Sequence, residues 1–347
     1  MQRQFPALRG LAIFLVVVNH SITLGLAAAR DFELVTPLVE KWILIAIKNL
    51  GIIAVPIFLF IAGSFFVYAA HGKTVRAGYR QVWAGLIHTI PPYILWSVVF
   101  YIVVFLLFNE RNDALGYLKN LVVGYPFNFV PLLVAFYLVA PLLVWLAKRF
   151  AWLIVLTFLG YQVVLIAVLR PELLPFSLPG WTNLLAPPVL RLPLALWGIF
   201  YPLGVVFSLH SAKILPKLKG WWWLIAVSGF GLLVLAFLSE VNLVDLPLAS
   251  VFGPMVTILL LPLIKRERIP FVRYLEQLGK RSYGLYLTNL IVITLMLAMV
   301  RVSAPWLLSI QSLLAILLAV ITLIVPQWLM GWVERVPGKK VSRYVFG

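Results

Sequence analysis

FPALRGLAIFLVVVNHS, residues 5–21, opens the first long apolar run of the chain and carries a cation at Arg9 and an imidazole at His20. At about 100° per residue, eleven helical steps make three turns plus roughly 20°, so the two side chains fall on nearly the same face. Their axial separation is about 16 Å at 1.5 Å per residue. With Arg9 at a membrane surface, His20 lies near the middle of a hydrocarbon core about 30 Å thick. An ionisable group at that depth is costly and marks a functional site by default. Two readings stand. In one, Arg9 is a surface anchor and His20 a hydrogen-bonded packing residue. In the other, neutral His20 is a general base that accepts a proton.

The rest of the chain supplies the membrane. Of 347 residues, 63% are hydrophobic and 11% charged, a composition suited to lipid rather than water. Apolar segments at about 6–29, 43–70, 82–108, 126–147, 150–169, 189–209, 221–239, 248–264, 282–300 and 306–333 predict an all-α polytopic bundle of about ten transmembrane helices. The second, carrying Lys48 and Asn49, and the eighth, which is short, are the weakest of the set. The first run has no small-residue cleavage site, so it is kept as a spanning helix rather than a signal peptide. No internal repeat or long soluble insert stands out, which predicts a single membrane domain over residues 1–347.

Charge fixes the orientation. With the N-terminus inside, twenty of the 28 Lys and Arg fall in inner segments against three of the eleven acids. The outer segments hold seven bases and eight acids, and Lys48 lies within a span. The net charge of +17 is therefore a positive-inside signal and not a nucleic-acid patch. Both termini are placed in the cytosol, and the protein in the cytoplasmic membrane. Cysteine is absent, which removes thiolate nucleophiles, disulfides and Cys-ligated metals. Four scattered histidines without matching carboxylates give no metal site.

The opening stretch resembles the first helix of the acyltransferase 3 family of integral-membrane acyltransferases, in which a basic residue, ten residues and a histidine follow in that order. GIIAVPIFLFIAGSFF (51–66), HTIPPYILW (88–96), FNFVPLLVAFYLVAPLL (127–143) and LGKRSYGLYLTNLIV (278–292) resemble further helices of that family, in the same order along nearly the whole chain. The resemblance implies transfer of an acyl group, often acetyl, from cytosolic acyl-CoA to a hydroxyl of a cell-envelope carbohydrate on the outer side. Acyl-CoA is then a co-substrate, and no permanently bound cofactor or metal is expected. Some family members carry an extra extracytoplasmic domain. This chain ends ten residues after Pro337, so the membrane domain is expected to act alone or to hand the acyl group to a separate extracytoplasmic partner.

On this reading His20 deprotonates, or hydrogen-bonds, the acceptor hydroxyl. Direct transfer and an acyl-histidine route both remain open. Arg9 binds the donor's phosphates or holds the helix entrance, with Arg76, Arg80, Lys280 and Arg281 as secondary donor contacts. A tetrahedral oxyanion needs preorganised donors, for which Asn19, Ser64 and Tyr93 are candidates. Tyr283, Tyr286 and Asn289 are candidates for positioning substrate. Lys48 is either a snorkelling cation or part of an acceptor-side cavity. Glu33 and Glu40 either bind sugar hydroxyls or are solvated loop charges.

The chain departs from the family pattern in places. Pro6 stands in the stretch before Arg9 where an acid is common. Gly85 and His88 occupy the positions of an Arg-x-x-Arg pair, so His88 is either a replacement cation near the donor or a polar residue of the inner rim. Asn289 stands where histidine is frequent; it can donate a hydrogen bond but not shuttle a proton. His71 and His210 are expected in solvated inner loops, and Trp221–Trp223 at the interface. The competing classes are a transporter or flippase of an envelope precursor, which predicts further intramembrane charges or an inverted repeat, and a non-catalytic relative.

Overall fold

The computed structural model describes residues 3–70, 75–174, 176, 178–335 and 340–347. Every regular element among them is helical. In chain order these are α1 (Phe5–Asp31), α2 (Leu38–Asn49), α3 (Ala54–Ala70), α4 (Val75–Phe108), α5 (Ala114–Val123), α6 (Phe129–Arg149), α7 (Ala151–Leu169), α8 (Arg191–Trp197), α9 (Phe200–Gly220), α10 (Trp222–Glu240), α11 (Ala249–Ile258), α12 (Val272–Lys280), α13 (Ser282–Ser303), α14 (Gln311–Arg335) and α15 (Lys340–Phe346), with short 3-10 turns between some of them. Among the described residues eight segments are long and apolar enough to cross a bilayer, or nine if the bent pair α8–α9 is one span. The protein is thus a polytopic helical membrane bundle.

Several expectations are corrected in detail. The second span stands as one candidate crossing, Leu38–Ala69, but is not uniformly α-helical: α2 ends at Asn49, a 3-10 turn covers Leu50–Ile53, and α3 begins at Ala54. Lys48 and Asn49, the polar residues that weakened this span, sit just before the 3-10 turn. The predicted eighth span is the short segment Ala249–Leu263, about 23 Å long and below the thickness of the hydrocarbon. The sixth runs on as helix to Gly220 with a kink at His210, so His210 is not in a loop. It is half-buried, and its Nε2 lies 2.9 Å from the Ala147 carbonyl. His71 lies outside the described residues.

The chain forms two compact units. One comprises Val55–Ile90 and Asn112–Gly220; the other comprises Gln2–Ala54, Pro91–Arg111 and Trp221–Gly347. In the first, α3 and α9 touch backbone to backbone: a Cβ on Gly63 would come within 2.3 Å of the Tyr201 carbonyl oxygen, and one on Gly204 within 2.0 Å of that of Phe60. Close approach of this kind is how small residues bring membrane helices together. Ser64 seals the crossing by donating to the Gly204 carbonyl at 3.1 Å. At the α8–α9 bend, Gln162 donates to Leu196 O at 3.2 Å and accepts from Ile199 N–H at 3.0 Å, satisfying backbone groups that the bend releases.

In the second unit α1 is central. Pro6 at its start needs no intrahelical donor there. Gly10 lets it lie on α12, where a Cβ would come within 1.8 Å of the Leu275 carbonyl oxygen, and Gly279 makes the reciprocal contact with Pro6 O at 2.0 Å. Further along, Ala28 packs with Ile293, Leu297 and Val300 of α13 and Leu314 and Leu318 of α14. Glu40 caps α14, its carboxylate accepting from the Ser312 N–H at 2.7 Å and hydroxyl at 2.6 Å. The C-terminal α15 is held by Trp96, whose indole donates to Val345 O at 2.7 Å and stacks on Phe346.

Candidate active site

The pair predicted on one face of α1 meets a matching pair on α13. Arg9 donates from a terminal guanidinium nitrogen to Ser282 Oγ at 3.0 Å, and His20 Nδ1 lies 2.6 Å from Asn289 Oδ1. Ser282 and Asn289 are seven residues apart, two turns less about 20°, so they too share a face. Seven residues advance about 10 Å against about 16 Å for eleven, and the long arginine stem takes up the difference. Ser282 and Asn289 are fully buried, whereas Arg9 and His20 are half-buried.

Asn289 is oriented by its own helix. Its side-chain amide nitrogen donates to the Leu285 carbonyl at 3.2 Å and to the Tyr286 carbonyl. Its oxygen is thereby left facing His20 Nδ1. Asn289 donates as the sequence reading allowed, but to carbonyls of its own helix, which only accept.

Asn19, on the neighbouring position of α1, donates to the Lys48 carbonyl at 3.0 Å, and Gly51 packs against it; a Cβ there would meet Asn19 Cβ at 2.8 Å. Asn19 thus caps the C-terminal end of α2, a partner that the oxyanion reading did not foresee. Asn49 likewise donates to Leu233 O at 3.0 Å. Lys48 is ion-paired with Glu240, the last residue of α10. Glu33 is exposed and left-handed in backbone, with φ 56°. Tyr283 and Tyr286 are half-buried and Tyr93 is buried.

The proposed donor contacts divide. Arg281 binds the Gln327 carbonyl at 3.2 Å and Glu334 at 2.6 Å. Lys280 is exposed. Arg80 and His88 are exposed on the part of α4 that belongs to the other compact unit, as does Ser64, whose hydroxyl proton goes to Gly204. The Arg76 side chain lies outside the described residues. Close to Lys280, Arg266 grips Glu276 with two hydrogen bonds of 2.6 and 2.8 Å, and these hold the Glu276 carboxyl below its ordinary value. Among the described residues no three His, Asp or Glu gather as a metal site would require.

Sequence reasoning missed Ser282, Glu240 and the Gly10–Gly279 crossing. The seven-residue spacing of Ser282 and Asn289, and a glycine directly after Arg9, were the signals available.

Fold and site together define a membrane-embedded helical protein with a polar centre built on its first helix. The acyltransferase domain family matches residues 4–331, and the chain belongs to this acyltransferase 3 family. Comparison with curated proteins and with solved structures finds no match.

Proposed function

We propose that the protein is an O-acyltransferase of the cytoplasmic membrane that moves an acyl group, acetyl in the simplest case, from cytosolic acyl-CoA to a hydroxyl of an extracytoplasmic cell-envelope carbohydrate. Family membership supports a membrane acyltransferase. The observation that carries the finer reading is His20, half-buried on α1 with Nδ1 engaged by Asn289. Its other nitrogen is available to take the acceptor's proton. The hydroxyl oxygen then forms a bond to the thioester carbonyl carbon, the C–S bond breaks, and the proton passes from His20 to the departing CoA thiolate. No metal or redox cofactor enters this balance.

Arg9 supports the donor end. It sits with Ser282 at the start of α13, where a guanidinium and a helix N-terminus both favour an anionic group such as a donor phosphate. Exposed Lys280 adds positive charge on the same side. The predominance of bases in the inner segments orients this end toward the cytosol. Lys48 and Glu240 form a charged pair toward the other end of their helices, where a carbohydrate acceptor or a separate extracytoplasmic acyl-transfer partner would approach.

The test is acyl transfer and thioester hydrolysis by the purified protein in lipid, with labelled acetyl-CoA as donor. His20→Ala is expected to bind donor but lose at least about 100-fold in turnover, the lower range for a general base. Arg9→Ala is expected to lose donor affinity. Absence of acyl-CoA binding by the wild type would end the acyltransferase reading for this chain.

A further inference from the structure

We propose that Asn289 is the positioning residue for His20: it holds the imidazole as the Nδ1–H tautomer, so that Nε2 is the nitrogen that receives the acceptor's proton. This rests on the reading of His20 as base and goes beyond it by naming the atom and the group that selects it.

Donors and acceptors around the ring decide the tautomer. A neutral imidazole carries its proton on either nitrogen, and the hydrogen-bond partner decides which. Asn289 is fully buried, and its amide group lies against the Leu285 and Tyr286 carbonyls. Turning the amide over would set its oxygen against two carbonyl oxygens with no proton between them. The nitrogen is therefore fixed toward the helix and the oxygen toward His20, 2.6 Å from Nδ1. An amide oxygen only accepts, so Nδ1 carries the hydrogen and Nε2 carries the lone pair. The same bond fixes the rotation of the ring. Asn289 is on α13 and His20 on α1, so the orientation depends on the packing of those two helices and not on the local sequence of either.

An asparagine differs from a carboxylate in the same place. It orients the ring without supplying a counter-charge to an imidazolium. The proton taken by Nε2 then moves on to the leaving thiolate with no charged partner to retain it.

The experiment is nitrogen NMR of histidine-labelled protein in lipid nanodiscs, with the His20→Ala spectrum assigning the His20 signals, alongside kcat and donor KM. The wild type is expected to show a protonated Nδ1 and a bare Nε2. Asn289→Ala is expected to lose that preference and to lower kcat by about 100-fold with donor KM within twofold. A bare Nδ1 in the wild type overturns the proposal, and this reading needs no Asn289 variant to fold. Wild-type turnover in a folded Asn289→Ala, with His20→Ala inactive, also overturns it and leaves the base assignment standing. Full turnover in His20→Ala removes the base assignment instead.

Discussion

At the scale of single residues, several of the polar groups inside the bundle are held by partners remote in sequence. Lys48 is the clearest case: a lone cation in an apolar segment reads as an expense until Glu240 is found beside it. Both are partly exposed, so the pair contributes modestly, about 0.2–1 kcal/mol. A double-mutant cycle with Lys48→Met and Glu240→Gln is expected to give a coupling energy in that range by thermal unfolding in detergent. Additive effects would show that the pair contributes nothing to stability. Ser282→Ala removes the hydroxyl that Arg9 contacts, at a cost of about 1 kcal/mol. Its expected functional signature is a changed donor KM, measured by acyl-CoA titration, with kcat preserved.

At the scale of elements, backbone contacts between helices set where the side chains can meet. The α1–α12 crossing places Arg9 beside the junction of α12 and α13, because Gly10 and Gly279 admit carbonyl oxygens where a methyl group would stand. Gly10→Ala is expected to destabilise the protein by about 1–3 kcal/mol through overpacking, read as a lower Tm. It is also expected to weaken donor binding, since Arg9 is the adjacent residue. The loop and helix at 266–276 add a pH-sensitive brace. The Arg266 hydrogen bonds hold the Glu276 carboxyl below its unfolded value, so their stabilisation is fully present above the ordinary carboxylate pKa, near 4.3. It is lost as pH falls through the lower folded value. Glu276→Gln should therefore be less stable than wild type at pH 7, and the difference in Tm should close on acidification below about pH 4.

At the scale of the whole molecule, the decisive quantity is the number of crossings, because parity decides where the C-terminus lies. The segment Ala249–Leu263 carries that parity: it is about 23 Å long and ends before three bases, Lys265, Arg266 and Arg268. The positive-inside bias predicts a full crossing, in a locally thinned bilayer. The absence of cysteine allows a clean test. In inverted and right-side-out vesicles, Asp245→Cys is expected to label from outside only, and Arg268→Cys and Arg343→Cys from the cytosolic side only. Labelling of both Asp245→Cys and Arg268→Cys from one side would make the segment re-entrant.

The sequence by itself determined the solvent, the helical class and the shared face of Arg9 and His20, because apolar length and the 3.6-residue period are local properties of one helix. It marked the weak point of the second span through Lys48 and Asn49, though not that the helix tightens into a 3-10 turn after them. Only the tertiary structure decided that the Asn289 side-chain oxygen meets His20 Nδ1, that Asn19 caps the end of α2, and that Glu40 caps α14. Each of those outcomes depends on which donors and acceptors remain after two helices have packed. His20 and Asn289 are 269 residues apart in the chain, and no local pattern encodes the hydrogen bond between them.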